Sequence, residues 1–137
     1  MKKSNLLNDN VEVKCVNCGK NLLDNINGSM VIIVHNNNHQ IENVIPCCKG
    51  KCDDILTNSI PSEMDEGWKE FSTFMNPFLH LKHIMSVMNE MFDNKGFANQ
   101  KAFEDYKNII VNTAPYITRD LTDLEVQEAS MDNMFPF

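Results

Sequence analysis

Two cysteine groups, Cys15-Val-Asn-Cys18 and Cys47-Cys48-Lys-Gly-Lys-Cys52, bracket a stretch patterned like paired β-strands. No other feature restricts the fold as strongly. A Cys-x-x-Cys pair followed by glycine can turn two sulfurs toward one ion, with backbone N–H groups facing the thiolates. A hairpin returns the chain to its starting point, so the second group is carried back to the first. A redox dithiol is the competing reading, but a thioredoxin-like motif sits between a strand and a long helix. Five thiols cannot all pair as disulfides. In a reducing compartment such clusters read as metal ligands or catalytic groups.

The hairpin is carried by Met30-Val-Ile-Ile-Val34, an apolar β-branched run, and by residues 40–45, QIENVI. His35-Asn-Asn-Asn-His39 between them reads as the turn, because asparagine tolerates left-handed conformations. Residues 49–58 suit a short helix. Cys48 and Cys52, four apart at its start, share one face. Cys15, Cys18, Cys48 and Cys52 are therefore the expected ligands. Cys47, at the strand end after Pro46, is a buried spare or an alternate ligand.

The order knuckle, hairpin, cysteine pair, helix resembles a treble-clef zinc finger over about residues 13–58. The Cys-x-x-Cys, Cys-x-x-x-Cys spacing with Ile55 or Leu56 beyond it is similar to the TRASH/FCS-type subgroup. That resemblance implies a bound Zn²⁺ and, for TRASH-like modules, a metal-sensing or metallochaperone role. A zinc ribbon would need another strand after Cys52, where DDILTNSI reads as helix. Four thiolates leave no open position for water, so the ion is expected to be structural. Lys14, Lys20, Lys49 and Lys51 flank the cysteines; they either offset the charge of a zinc–thiolate centre or contact nucleic acid. Without arginine they offer no bidentate base reader.

Past Ser62 the apolar period changes from two to 3.6. Ser62 reads as an N-cap, with Glu63, Asp65 and Glu66 in the first turn of a helix through Trp68, Phe71, Phe74 and Met75. Asn76-Pro77 starts another helix. On it Phe78, Leu81, Met85, Met88 and Phe92 form a strict heptad seam. This seam is the expected packing face against a partner helix at about 98–112, which carries Phe103, Tyr106, Ile109 and Ile110. Failing that, it is a surface for a partner or for a homodimer. Asp93-Asn-Lys-Gly96 is the stop between the two helices. Thr122-Asp-Leu-Glu125 is a capping box for a last helix to about Asn133. The apolar tail Met134–Phe137 either docks or frays. His35, His39, His80 and His83 read as surface residues.

The expected architecture is α+β, with a flexible stretch at 1–12, a zinc-stapled finger at 13–60 and a helical half of about four helices at 61–137. Residues 1–61 hold six bases and six acids, and residues 62–137 six bases and thirteen acids. The entire net charge of −7 thus belongs to the second half. An acidic surface repels phosphate backbones and favours basic partners.

No phosphate-binding glycine loop, nucleophile elbow or His-Glu-x-x-His is present. The best-supported class is a non-enzymatic interaction or regulatory protein whose acidic half binds a basic protein, such as a component of the transcription machinery. A nucleic-acid-binding regulator using the lysine-flanked finger comes second, and a metal sensor or metallochaperone third. No apolar run is long enough for a transmembrane helix. The start carries no signal-peptide pattern, so a cytoplasmic location is expected. Frequent asparagine with a single arginine, Arg119, is the bias of an AT-rich genome, such as that of a low-GC bacterium or its phage.

Overall fold

The computed structural model describes residues 12–93 and 96–131. Most of the 1–12 stretch, Asn94, Lys95 and the 134–137 tail lie outside the described residues. Among the described residues the architecture is mixed: a three-stranded antiparallel sheet and four α-helices. Strands β1 (Ser29–His35) and β2 (Ile41–Cys48) form the hairpin, and helix α1 (Lys51–Asn58) follows. Strand β3 (Asp65–Glu70) comes next, then α2 (Pro77–Phe92), α3 (Gln100–Thr113) and α4 (Asp123–Met131).

Strand order is β2-β1-β3, so the apolar run is the central strand. That placement explains its composition: Ser29 through Val34 are all buried, as expected of a strand covered on both faces. In the turn, Asn36 Oδ1 accepts from the N–H groups of Asn38 (2.9 Å) and Gln40 (3.1 Å). His39 takes the left-handed conformation with φ 65°. Since β2 and β3 both run antiparallel to β1, they are parallel to each other. Helix α1 belongs to the crossover that connects them.

The helix expected from Ser62 through Met75 does not form. Residues 65–70 are a strand, and Phe71–Met75 a 3-10 stretch. The reason is tertiary. β1 has two edges of backbone donors and acceptors, β2 satisfies only one, and residues 65–70 satisfy the other. Helix-compatible charges at Glu63, Asp65 and Glu66 did not outweigh that pairing, and Gly67 weakens a helix there. Phe71 and Phe74, three apart in the tight helix, both go fully inside. Among the described residues, three α-helices rather than about four therefore follow residue 61.

The core joins both halves of the chain. Val31, Ile32, Val44 and Cys47 of the hairpin share one cluster with Phe71, Phe74, Ala102, Tyr106 and Ile109. The other helical boundaries follow their local signals. Asn76 caps α2 through its Oδ1, with Pro77 in the first turn. Gly96 takes φ 52° after α2, and its N–H reaches the Glu90 carbonyl. At α4, Thr122 Oγ1 accepts from the Glu125 N–H (3.2 Å) while Glu125 Oε1 accepts from the Thr122 N–H (2.9 Å). Arg119 pairs with the same Glu125 and holds its carboxyl below the usual carboxylate range. No helix among the described residues is long and apolar enough to cross a membrane.

Candidate metal centre

Cys15 and Cys18 sit in a knuckle pinned at both ends. The Cys15 N–H donates to the Lys20 carbonyl (2.8 Å), and the Gly19 N–H to the Cys15 carbonyl (2.9 Å). Gly19 has φ 78°, a conformation that favours glycine. The Val16 N–H donates to the Pro46 carbonyl of β2 (3.0 Å), which sets the knuckle against the strand that delivers Cys48. Asn21 closes the base: its Oδ1 accepts from the N–H groups of Val13 (3.1 Å) and Leu23 (3.2 Å). On the other side, Gly50 (φ 92°, ψ −116°) turns the chain from β2 into α1, and its N–H donates to Asp53 Oδ2 (3.2 Å). This turn places Cys52 in the first turn of α1.

The sulfurs of Cys15, Cys18, Cys48 and Cys52 all lie within 4.8 Å of one another. Cys18 Sγ and Cys48 Sγ are 3.8 Å apart. A tetrahedral zinc–thiolate centre, with Zn–S near 2.3 Å, has sulfur–sulfur edges of roughly 3.8 Å. The donor set and spacing therefore suit an ion of that kind. Cys15 is buried, Cys48 and Cys52 are half-buried, and Cys18 is exposed.

The electrostatics are uneven. Burial works against the Cys15 thiolate, but backbone N–H groups of Cys18, Cys48 and Asn17 face its sulfur and bring it down to about 6. Burial, and then hydrogen bonds shared with Cys18 and Cys15, push Cys48 up to about 12. Asn17 Nδ2 donates to Cys52 Sγ (3.3 Å), a contact to the sulfur that sequence reasoning missed. Its only signal was an amide side chain inside the Cys-x-x-Cys loop.

Cys47 stays outside the group. It is fully buried in the core beneath the sheet, and desolvation pushes its thiol up to about 12. Of the four flanking lysines, Lys49 pairs with Glu70 and Lys14 with Glu12 (3.6 Å).

The expected helix seam is not the packing face of α2. Phe78 is half-buried against Leu79 and Ala129, but Leu81, Met85, Met88 and Phe92 are exposed, Phe92 by 88%. The residues α2 buries are Leu79, His80 and His83. The surface reading of His80 and His83 is thus overturned: they are only 3% and 8% exposed. His80 Nδ1 lies 2.8 Å from the Phe74 carbonyl, which only accepts, so Nδ1 carries the proton. His83 stacks on the Phe74 ring at 4.0 Å, and its Nε2 lies 2.8 Å from Thr73 Oγ1. Satisfied polar groups of this kind bury without the usual desolvation cost, which hid them from a pattern of apolar residues. His35 is half-buried with Nε2 2.8 Å from Glu90 Oε1, while His39 is exposed.

The chain matches no family model, and comparison with curated proteins and with solved structures likewise gives no match.

Proposed function

We propose that this chain is a non-enzymatic, regulatory interaction protein stapled by one structural Zn²⁺. The convergence of four thiols within 4.8 Å carries this reading. An all-cysteine site leaves no coordination position for water or substrate, so the ion holds structure rather than performing chemistry. The succession of Cys15–Gly19 knuckle, β1–β2 hairpin, Cys48 and the α1 helix bearing Cys52 supports a treble-clef-like finger over residues 13–60. Helix α1 buries no residue fully, and a metal staple compensates by tying it to the knuckle and the hairpin.

The partner in this reading is a basic protein. The acidic excess beyond residue 61 supports this choice, and the exposed row Leu81, Met85, Met88 and Phe92 supplies apolar contact area beside it. Methionine-rich faces adapt to varied surfaces.

Elemental analysis of protein purified without added metal should find one zinc per chain, with chelation abolishing cooperative unfolding. Retention on polylysine should fall as salt rises. Absence of zinc would remove the staple, and retention on DNA in place of polylysine would overturn the basic-partner reading in favour of a nucleic-acid binder.

A further inference from the structure

The two outer edges of the sheet differ. The β2 edge is occupied: the Pro46 carbonyl accepts from Val16, the Ile41 N–H donates to the Gly96 carbonyl, and the Ile41 carbonyl accepts from Ala98. The Glu42 carbonyl accepts from Asn99 Nδ2. At the other edge, β3 pairs with β1 alone, and among the described residues no other backbone group bonds to it. Asp65, Glu66, Gly67 and Trp68 are exposed there. A strand edge left open in this way is a template for another strand.

The side chains along this edge select what could pair with it. Register places Glu66 opposite Val34, Trp68 opposite Ile32 and Glu70 opposite Met30, so the three β3 side chains share one face. A groove of about 510 Å³ opens on that face, lined by Met30 and Ile32 below, Asp53 and Thr57 of α1 on one side, and Glu66 and Trp68 on the other. Among the described residues Lys49 is the one cation lining it, and it is paired with Glu70. Trp68, the sole tryptophan, is 59% exposed and lines this groove.

We infer that the open β3 edge binds an extended basic segment of a partner protein, which adds to the sheet as a fourth strand. Backbone bonds to β3 supply affinity. Alternate lysines or arginines of the added strand fall on the Glu66–Trp68–Glu70 face, where carboxylates and an indole π-face both attract cations. This inference rests on the reading of the chain as a binder of basic protein surfaces, and it moves the site from the α2 row to the sheet edge.

The test uses the metal-loaded chain and a fluorescein-labelled peptide of alternating lysine and valine, long enough to span β3, with binding read by anisotropy. Binding should slow amide exchange across residues 65–70. Glu66→Lys should weaken it roughly tenfold and Trp68→Ala about fivefold, with zinc content unchanged in both. N-methylation of the peptide on alternate residues, on the edge facing β3, should cost at least about tenfold, because charge is kept while donors are lost. Equal binding of the methylated peptide, or loss of binding only in Met85→Ser and Met88→Ser, would overturn the strand-addition site and leave the basic-partner reading standing. Failure of the chain to bind this peptide or polylysine at low salt would overturn both.

Discussion

Cys47 and Cys48 are neighbours in β2 that leave the sheet on opposite faces: Cys47 is fully buried across from Met30, while the Cys48 sulfur stands 3.8 Å from that of Cys18. Strand alternation, rather than spacing along a helix, separates the spare thiol from the cluster. Cys47→Ser should therefore keep one zinc per chain and cost about 1–3 kcal/mol, the penalty of a buried hydroxyl without a designed partner. Cys48→Ser should lose the metal. Elemental analysis and denaturant titration of the two variants decide it, and reversed outcomes would make Cys47 the ligand.

The two faces of α2 should respond in opposite ways to truncation. Leu79→Ala removes a buried side chain and should cost about 2–4 kcal/mol. Met88→Ser and Phe92→Ser change exposed positions and should stay within about 0.5 kcal/mol of the parent. Urea unfolding midpoints at equal slope give the comparison. A large loss in the second pair would mean that the exposed row is covered in solution.

Burial pulls His80 below the ordinary imidazole range, with the Phe74 carbonyl opposing the shift. The unfolded chain then takes up the proton first. Stability is intact above about pH 6.5 and falls as the pH drops below that value toward the lowered folded pKa. His80→Asn, whose amide can still donate to the Phe74 carbonyl, should flatten this part of the curve. The readout is the difference between the two proteins, both metal-loaded, over the same pH range. Parallel curves would show that His80 does not titrate in this window.

Gly19 and Gly50 have nothing within 4 Å of the position a Cβ would take, so a methyl group meets no obstacle. The cost of alanine is therefore conformational. Gly19→Ala should cost about 1–2 kcal/mol. Gly50→Ala, at φ 92° and ψ −116°, lies further from any conformation open to alanine and should cost about 1–3 kcal/mol. Chemical denaturation with retained zinc content separates this effect from metal loss.

Much of the layout was legible because local signals and tertiary demands agreed. The run Met30–Val34 is β-branched and is a strand, Asn76-Pro77 starts α2, and Thr122 with Glu125 caps α4. The convergence of two cysteine groups followed from the hairpin between them. β3 was hidden because Glu63, Asp65 and Glu66 suit a helix start, while the need that made it a strand belongs to β1, whose partner residues lie 30 to 40 positions earlier. On α2 the apolar pattern pointed to the wrong face. The core side reads Leu79, His80 and His83, and the two histidines look polar until the carbonyl of Phe74 and the hydroxyl of Thr73 are in place.

An uncovered strand edge invites polymerisation as readily as it invites a partner. Among the described residues only one side of the sheet is open, so copies meeting edge to edge there would close into a pair and could not grow into a fibre. Even that pair is discouraged, because an antiparallel pairing that keeps each face continuous can set Glu66 of one copy against Glu70 of the other. The charges that make the edge attractive to a cationic strand thus act as a guard against aggregation, one that salt would relax.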